Sequence, residues 1–468
     1  MGEYFSSEWS INMNQESAHL VIVVGAGPAG LSVANMLSEA GHQVIILNRD
    51  IKFGGLAEYG IFPSKTKLRG GLKKQYWEIL SHPNVHYFGN ILVGNGKGIT
   101  IEDLRGLGAN AVVFATGAQG TKSVGLEGES AIGVYHAKDV VFHFNQLPVQ
   151  GNRAFEMGRH VAIIGVGDVM VDIAHWLIRY KKVEQVTAVA RRGPAERKYH
   201  AKELRAISAN IDHNDLQGEF SRIRSRLEAV GQNPELLFQE VQRECEKGEP
   251  AVSQARMGFR FLAAPRRVLT DAGNRVRGLE IEETRLEAKD ENVSAVGTNQ
   301  LYEFPCDSVI FAVGDKVDES LGLPSRAGLF TTNPVKSGRE PDDALFQVFD
   351  ERTDQVCEGV FVTGWARKAS EGLVGIAKRD GEWCAEVVGR YLEGQPRLDS
   401  REISHVLRTL RQTFTQQGIT YIEPAALRFL DQAEQARWES SKSIGTFKAS
   451  TNEEMFSLIE AQRTVGTF

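Results

Sequence analysis

Two strand–turn–helix–strand patterns with glycine-rich turns predict an α/β protein with two Rossmann-like, three-layer nucleotide-binding domains. The first pattern begins at Leu20 and the second at His160. Further apolar runs at 111–118 and 308–315 lie between the two patterns and after the second one, and each ends in a small-residue turn. We expect the chain to cross between domains at these turns, so that the second domain is inserted into the first.

The first pattern is a complete βαβ unit. Apolar, β-branched residues at 20–24 precede a turn, a helix is expected to about residue 40, and 44–47 returns as a second strand. The turn places Gly25, Gly27 and Gly30 in the spacing G-x-G-x-x-G, which lets the backbone approach a pyrophosphate at a helix N-terminus. This context favours dinucleotide binding over a merely tight βα turn.

The end of the second strand departs from the usual nucleotide-binding pattern. An acidic residue normally accepts hydrogen bonds from a ribose at this position, but the sequence has Asn48 followed by Arg49. An asparagine can accept one hydrogen bond, yet it carries no charge and cannot accept in the bidentate manner of a carboxylate. We therefore expect a weaker ribose contact here.

The second pattern predicts a site for NADP. Its strand at 160–164 leads into Gly165 and Gly167, but Met170 occupies the place where glycine or alanine is usual. A helix is expected to about residue 180, and the next strand ends at Arg191 and Arg192. Because guanidinium groups pair bidentately with phosphate, these two residues are suited to the 2′-phosphate of NADP. A solvated basic turn is the alternative.

A local surplus of positive charge surrounds the two arginines. Residues 179–205 contain nine lysines or arginines against three glutamates, on a chain whose formal net charge is −6. The surplus exceeds what one phosphate needs, so we expect part of it to dock an acidic protein partner. A plain exposed helix face is the alternative.

Composition excludes several other functions. With a net charge of −6 over 468 residues, no global basic surplus exists to hold a nucleic acid. The four cysteines lie far apart without a CxxC pair, which excludes a dithiol redox centre, a thiolate zinc site and an endogenous iron–sulfur cluster, and fits a reducing, cytoplasmic compartment. The uncharged stretch 20–37 is interrupted by glycines and a proline, so we expect no membrane span, and we interpret residues 1–18 as a polar leader.

Three further positions are candidates for chemistry. Asp172 lies one helical turn after the second glycine turn and is expected near its cofactor, unless it is a structural carboxylate. Trp365 follows Gly364 and can cover a planar ring, although a core aromatic is equally consistent. The segment 372–375 begins a helix expected to reach about residue 391, and its N-terminal dipole would favour a ring that becomes anionic on reduction, as a flavin does.

Ordered motifs along the chain resemble those of the adrenodoxin reductase family and its bacterial ferredoxin–NADP reductases, with the small subunit of glutamate synthase as a more distant relative. The motifs are VVGAGPAG at 23–30, Gly55-Leu56 with Tyr59-Gly60-Ile61 and Pro63, FGN at 88–90, ATGA at 115–118, ARRGP at 190–194, KELR at 202–205, GFRF at 258–261, GW at 364–365 and EGLVG at 371–375.

The resemblance implies FAD on a discontinuous first domain, 19–118 and 325–468, with a C-terminal extension from about 395. It implies NADP on an inserted domain, 119–324. The candidate FAD-binding residues are Gly25, Gly27, Pro28, Ala29, Gly30, Asn48, Gly55, Leu56, Val93, Gly117, Gly364, Trp365, Gly372, Leu373 and Val374. The candidate NADP-binding residues are Gly167, Asp168, Val169, Arg191, Arg192 and Glu203.

In such enzymes a hydride passes from NADPH to the flavin, and electrons leave one at a time to a ferredoxin-like, acidic iron–sulfur protein. The cofactor performs the difficult chemistry, so no side-chain nucleophile is required. The candidate catalytic residues are Asp172, Trp365 and Lys65, the last aligning with a histidine near the family's flavin. The sequence also departs from the family at Asn48 and at 367–372, and it has no cysteine before Cys245, unlike glutamate synthase small subunits.

Two alternative functions stay open. The changes at 367–371 favour an NADPH-dependent flavin oxidoreductase whose acceptor is a small molecule or a dedicated partner enzyme. Asn48 and Met170 favour a nucleotide-binding protein without turnover. The C-terminal extension carries no glycine-rich motif, and contact with a twin subunit in a homo-oligomer is one role for it.

Overall fold

The computed structural model describes residues 17–94, 96, 98–148, 154–289, 292–336, 338–368, 374–441 and 447–465. The chain forms two compact units. Unit 1 comprises Met1–Thr121, Asn145–Gly151 and Gly314–Phe468, and unit 2 comprises Lys122–Phe144 and Asn152–Val313. The chain returns to unit 1 at Gly314, before the expected return at 325.

The helices are α1 (Pro28–Glu39), α2 (Leu56–Tyr59), α3 (Thr66–Leu80), α4 (Ile101–Gly106), α5 (Ala137–Phe144), α6 (Asp168–Trp176), α7 (His213–Glu228), α8 (Pro234–Cys245), α9 (Val374–Leu392), α10 (Ser400–Gln416), α11 (Pro424–Ser441) and α12 (Asn452–Val465). The strands are β1 (Ser17–Ala18), β2 (Leu20–Val24), β3 (Gln43–Asn48), β4 (Val85–Gly89), β5 (Ala111–Phe114), β6 (Gly120–Thr121), β7 (Val134–His136), β8 (His160–Ile164), β9 (Gln185–Val189), β10 (Arg256–Arg260), β11 (Ala263–Thr270), β12 (Val276–Lys289), β13 (Asn292–Pro305), β14 (Ser308–Phe311), β15 (Asp315–Lys316), β16 (Ser325–Arg326), β17 (Leu329–Phe330), β18 (Gln347–Asp350), β19 (Gln355–Val362) and β20 (Leu398–Asp399).

Unit 1 is built on a six-stranded sheet in the order β18-β19-β5-β2-β3-β4. All neighbouring pairs are parallel except β18 with β19. Strands β2 and β3 are buried along their whole length, which is why they are continuous apolar runs in the sequence. The chain moves from β2 to β3 on one side and to β5 on the other, so the crevice at the carboxyl ends of these strands is the place where such sheets bind ligands.

Helices α1 and α9 pack closely in unit 1 because glycines occur where backbones meet. A Cβ at Gly381 would lie 2.3 Å from the carbonyl oxygen of Ala29, and a Cβ at Gly30 would lie 2.0 Å from that of Gly25. Gly30, the third glycine of the first turn, therefore allows α1 to pack tightly against the turn. Its role is packing and not contact with a ligand.

The C-terminal extension is part of the core of unit 1. Leu427, Leu430 and Met455 are buried in the same cluster as β3, and the ring of Phe414 lies 5.5 Å from that of Phe88. The apolar faces of α10, α11 and α12 are thus covered by their own chain, and their hydrophobic pattern needs no twin subunit to explain it.

Unit 2 contains a five-stranded, all-parallel sheet in the order β10-β9-β8-β14-β7 and an antiparallel sheet β11-β12-β13. Strand β8 lies between β9 and β14, which repeats the arrangement around β2 in unit 1. Apolar residues of both sheets, including Ile164, Leu279 and Phe311, share one core. The region from Ala263 to Pro305 consists mainly of this antiparallel sheet.

Two helical regions are interrupted in the structure. The region around 219–246 is two helices, α7 and α8, because Gly231 adopts φ +75° and Asn233 caps α8 ahead of Pro234. The helix of the second nucleotide unit ends as an α-helix at Trp176 and continues as a π-helical turn to Lys181. Among the described residues, no helix is both long and apolar enough to cross a membrane.

Candidate functional site

A cavity of about 500 Å³ lies in unit 1 at the carboxyl ends of β2, β3 and β5. Its volume is in the range of small-molecule and cofactor sites. The lining residues are Val24, Gly25, Ala26, Gly27, Pro28, Ala29, Asn48, Arg49, Asp50, Gly55, Leu56, Ile91, Leu92, Val93, Gly94, Gly96, Ala115, Thr116, Gly117, Ala118, Gln119, Asp318, Ser320, Leu321, Gly364, Trp365, Val374 and Ala377. The structure thus brings together twelve of the predicted FAD-binding positions, from Gly25 to Val374.

The first glycine turn can hold a phosphate. Gly25 adopts φ +106°, and a Cβ there would lie 2.5 Å from the carbonyl oxygen of Ala115, so only glycine fits. Gly27 caps α1 without a side-chain hydrogen bond, and the first turn of the helix contains no acidic residue. A Cβ at Gly27 would meet no atom within 4 Å. Unpaired N–H groups and the helix dipole therefore face open space, which favours an anion.

Asn48 lines the pocket, but its amide is already used inside the protein. Its Oδ1 accepts a hydrogen bond from the Ala26 N–H at 2.9 Å, and its Nδ2 donates to the carbonyl oxygens of Asp50 and Lys52 at 2.8 and 3.0 Å. Only the second lone pair of Oδ1 is left for a ribose hydroxyl. The side chain holds the turn after β3 against the first glycine turn.

Arg49 and Asp50, the charged residues that follow Asn48, were not expected to line the pocket. Arg49 Nε lies 3.0 Å from Asp50 Oδ1, and Arg49 Nη1 donates to Gln119 Oε1 at 3.2 Å. All three residues line the pocket. Their position directly after nucleotide-binding strands was a usable signal, and Asp318, which also lines the pocket, lies only three residues after the apolar run at 308–315.

The opposite part of the pocket is formed by the turn before α9. The Asp380 carboxylate accepts hydrogen bonds from the Gly364 N–H at 2.6 Å and the Thr363 hydroxyl at 3.1 Å, and it forms a buried ion pair with Arg367. These contacts fix the turn that carries Trp365. The indole Nε1 of Trp365 is buried and has no hydrogen-bond partner among the described residues.

The pocket therefore fits FAD on three observations of its residues. The turn at Gly25–Gly27 provides an anion site, the indole N–H of Trp365 lacks an acceptor, and the cavity between them is lined mainly by small or apolar side chains. Gly372 and Leu373, which were expected to contribute backbone contacts, lie outside the described residues.

Two predicted site residues of unit 1 do not line this cavity. Gly30 is buried within α1 and serves packing, as described above. Lys65 is the N-cap residue of α3 and is half-buried there. The alignment with a flavin-proximal histidine gave the expectation for Lys65, and the structure does not place it on the pocket wall.

The glycine turn of unit 2 resembles that of unit 1 in backbone geometry, but an acidic residue lies beside its helix N-terminus. Gly165 adopts φ +124°, and a Cβ there would lie 2.3 Å from the carbonyl oxygen of Ala312. Gly167 caps α6 without a side-chain bond, but Asp168 lies in the first turn. The Asp168 carboxylate accepts from the His200 backbone N–H at 2.7 Å and lies 2.7 Å from His200 Nδ1. Val169 is half exposed beside it.

The segment 198–200 was not predicted to lie at this turn. The Lys198 N–H donates to the carbonyl oxygen of Val166 at 2.8 Å, next to the Asp168–His200 contact. These are tertiary contacts without a local sequence signal. Met170, which was noted as a departure from the glycine pattern, is fully buried in unit 2 and contributes to packing.

Arg191 and Arg192 follow β9 as predicted, beside the glycine turn that follows β8. Their carbonyl oxygens accept hydrogen bonds from the Thr284 hydroxyl at 2.6 Å and the Leu262 N–H at 3.2 Å, which fixes the backbone. Within the described part of the chain, neither guanidinium forms an ion pair, so both are available to a phosphate. Asp172 and Glu203 are half-buried on α6 and on the turn Ala201–Ala206.

The expected basic face is partly neutralised by acidic residues on or directly after α8. Arg197 pairs with Glu240 at 2.8 Å and Arg205 with Glu244 at 2.7 Å. Arg179 lies 3.8 Å from the Glu249 carboxylate. Counting charges within 179–205 overstated the positive surface because these partners are distant in sequence.

The model of the family described as pyridine nucleotide-disulphide oxidoreductase matches residues 19–364. Mitochondrial NADPH:adrenodoxin oxidoreductase of Salvelinus fontinalis is 26% identical over 461 residues, which cover 91% of this chain and 88% of the relative. NADPH-ferredoxin reductase FprA of Mycobacterium leprae is 24% identical over 459 residues, covering 91% and 95%.

The solved structure of FprA from Mycobacterium tuberculosis superposes with a TM-score of 0.77 at 22% identity, covering 94% of this chain and 99% of that one. Its complex with NADPH gives a TM-score of 0.76 at 21% identity, covering 95% and 100%. The predicted resemblance, the fold class with two Rossmann-like domains, the enzyme class and the cofactors FAD and NADP are confirmed.

Proposed function

Because the chain belongs to the pyridine nucleotide-disulphide oxidoreductase family and is an NADPH-dependent flavoprotein reductase, we propose that it passes electrons one at a time to a ferredoxin-like, acidic iron–sulfur protein. Two similar proteins are named as an NADPH:adrenodoxin oxidoreductase and an NADPH-ferredoxin reductase, which supports this acceptor. The observation that supports FAD as the redox group of this reaction is the unit 1 pocket, with its anion site and its unpaired indole N–H.

Bound FAD supplies the chemistry that a ferredoxin reductase needs, since it accepts two electrons as a hydride and can release them singly. The residues of this chain hold and orient it. The turn Gly25–Gly27 and the N-terminus of α1 would bind the pyrophosphate, and the N-terminus of α9 would favour negative charge on the reduced ring. Trp365 would donate its unpaired N–H to the cofactor and cover it from water.

On unit 2 we assign the 2′-phosphate of NADP to Arg191 and Arg192 and the pyrophosphate to the turn Gly167–Val169. The free guanidinium groups after β9 support this assignment. Asp168 places a carboxylate in the pyrophosphate region, and its two contacts with His200 offset part of that charge. His200 is therefore a residue on which NADPH affinity depends.

A small-molecule or dedicated enzyme acceptor is the second candidate. The ion pairs of Arg197 and Arg205 with glutamates of α8 favour it, because they reduce the positive surface that an acidic ferredoxin would meet. The four free cysteines fit the proposal of a reducing, cytoplasmic compartment, and they contain no adjacent dithiol for disulfide chemistry.

An anaerobic titration tests the proposal. The purified protein is mixed with NADPH, and separately with NADH, while the flavin absorbance is followed. Near-stoichiometric bleaching by NADPH and poor bleaching by NADH are expected, and oxidation of the reduced flavin by an added ferredoxin completes the test. A colourless protein would instead favour a nucleotide-binding protein without turnover, and a reduced flavin that ferredoxin leaves unoxidised would favour the small-molecule acceptor.

A further inference from the structure

We propose that the C-terminal extension is a working part of the flavin site, in which Lys448 and Glu434 are positioning residues for the segment 52–59. This inference rests on the proposed function in one respect, which is that the occupant of the unit 1 pocket is FAD. It assigns a role to the extension that neither the glycine motifs nor the pocket lining provides.

Four ionisable side chains are buried together in unit 1. Lys52 Nζ lies 2.8 Å from Glu58 Oε1 and 2.7 Å from Glu434 Oε2. Lys448 Nζ lies 3.2 Å from Glu58 Oε1 and donates to the carbonyl oxygen of Glu58 at 2.5 Å. Their side chains are between 4% and 12% exposed. Two lysines and two glutamates thus form one connected network out of water.

Burying these charges is costly, so their pairing is the property that needs an explanation. Desolvation opposes the charge of Glu58, yet Lys448 and Lys52 hold its pKa well below the usual range. Desolvation lowers the pKa of Lys448 to about 7, more than Glu58 raises it. Apolar residues of similar volume often stabilise a fold as well as a buried ion pair does, so such a pair is better at specifying a conformation than at adding stability.

The conformation that the network specifies is that of the pocket wall. The segment 52–59 begins with Lys52, whose carbonyl oxygen accepts from Asn48 Nδ2 at 3.0 Å. The Gly54 N–H donates to the Ala26 carbonyl oxygen at 2.7 Å. Gly55 adopts φ +51°, and a Cβ on it would lie 3.2 Å from the Cα of Gly27. A shift of this segment would therefore move the wall directly against the first glycine turn.

The extension contacts this segment through residues that are also joined to one another. Glu434 on α11 accepts from the backbone N–H of Ala449 at 3.0 Å through Oε1, while its Oε2 binds Lys52. One carboxylate thus joins α11, the segment 447–449 and the segment 52–59. Lys448 Nζ also lies 5.0 Å from the ring of Tyr59, the last residue of α2. The extension therefore holds α2, whose first residue Leu56 lines the pocket, from behind.

A second ion pair between the body of unit 1 and α11 provides a matched control. Lys73 Nζ on α3 lies 2.6 Å from Asp431 Oδ1, one helical turn before Glu434, and the two side chains are 34% and 21% exposed. This pair joins the same helix to the same unit and, among the described residues, forms no ion pair with the segment 52–59, although Lys73 lowers the pKa of Glu58 less than Lys448 and Lys52 do, and Asp431 raises that of Lys52 less than Glu434 and Glu58 do. A variant that lacks the Lys73 pair therefore shows how much FAD release changes when the contact between α3 and α11 is weakened without loss of the Lys448 contacts.

The test measures the release of FAD from the holoenzyme, by the rise of flavin fluorescence after transfer into FAD-free buffer. Lys448→Met is expected to release FAD about tenfold faster or more, which corresponds to about 1.4 kcal/mol. Lys448→Arg keeps the charge and is expected to stay within about threefold of the parent. Lys73→Met is expected to stay within about twofold. The increase in melting temperature that added FAD gives should shrink in Lys448→Met but not in Lys73→Met.

The results separate positioning from general stabilisation. The proposal is overturned if Lys448→Met keeps FAD as the parent does, or if Lys73→Met loses FAD to the same extent. If Lys448→Met does not fold, Glu434→Gln takes its place with the same expectation, since its amide oxygen can still accept from Ala449. A parent protein that purifies without flavin would contradict the proposed function instead, and it is recognised before any variant is compared.

Discussion

At the scale of single residues, Asn48 stands at a position that usually binds a ribose, but most of its hydrogen bonds are made to the protein's own backbone. The side chain bridges the first glycine turn and the backbone after β3 through three hydrogen bonds. A carboxylate at this position could keep the bond from Ala26, but it would lose the bonds that Nδ2 donates to the two carbonyl oxygens and to the Tyr87 hydroxyl at 3.2 Å. The position is therefore constrained by its two carbonyl partners as much as by a ribose.

The first prediction concerns the substitution Asn48→Asp, which introduces the acid that nucleotide-binding strands usually have. We expect it to weaken FAD binding and to lower the free energy of unfolding by about 2 kcal/mol, because the new oxygen faces the carbonyl groups of Asp50 and Lys52 without a proton to donate. Thermal unfolding and FAD retention measure both effects. Asn214→Asp, the same change on an exposed helix start, should alter stability by less than about 0.5 kcal/mol.

The second prediction concerns Arg191 and Arg192. Replacing both with alanine should lower kcat/KM for NADPH by about 100-fold and leave that for NADH within about threefold, because only NADPH carries the phosphate that two guanidinium groups would bind. Steady-state kinetics with the two coenzymes measure the ratio. Arg277→Ala removes an exposed arginine that pairs with Glu303 and should change neither value. Equal losses with both coenzymes would refute the assignment.

At the scale of secondary-structure elements, the βα units were predictable because their signals are local. Apolar strands, glycine turns and returning strands appear as contiguous patterns, and β2, α1, β3, β8 and β9 follow them closely. The break between α7 and α8 was also present in the sequence as Gly231 and Asn233-Pro234, and the helical pattern on both sides concealed it. Tertiary contacts such as Lys198 on the second glycine turn have no such local pattern.

The third prediction tests the close crossing of α1 and α9. Gly381→Ala should lower the free energy of unfolding by more than about 3 kcal/mol, because the added Cβ would lie 2.3 Å from a backbone oxygen that cannot move aside. Denaturant unfolding measures this loss. Gly389→Ala lies in the same helix with no atom within 4 Å of the added Cβ, so it should be neutral or stabilising.

The fourth prediction is a pH dependence that belongs to β4. Burial, with a smaller effect of Arg411, lowers the pKa of His86 from 6.5 to about 4. The unfolded chain then binds more protons than the native one between these values, so stability is fully present above about pH 6.5 and is lost as the pH falls toward 4. The loss is at most about 3.4 kcal/mol. His86→Gln, which can still donate to Gln43, should flatten this part of the stability–pH curve, and an unchanged slope would contradict the expectation.

At the scale of the whole molecule, the sequence predicted two nucleotide folds but not how charge is distributed over them. The glutamates of α8 neutralise arginines that the linear count had assigned to a docking face. The C-terminal extension from about residue 395 likewise carries no glycine-rich motif in the sequence, while in the structure it buries apolar residues and supplies Glu434 and Lys448 to the buried network with Lys52 and Glu58. Both facts depend on pairs that are distant in sequence, which periodicity and motif spacing cannot reveal.

The last prediction separates the two electron acceptors by their response to salt. If the ferredoxin docks through opposite charges, its rate of reduction by the enzyme should fall by about tenfold or more when ionic strength rises from 0.01 to 0.5 M. The reason is that the Debye length falls from about 30 Å to a few Å. Bleaching of the flavin by NADPH in the same buffers is the control, since it isolates the donor half of the reaction. The variant Lys202→Glu, on the exposed part of the basic segment, should slow the ferredoxin step at low salt and leave flavin reduction unchanged. A ferredoxin rate that is indifferent to both salt and this charge reversal would instead place the acceptor among small molecules, whose encounter with the flavin needs no charged surface.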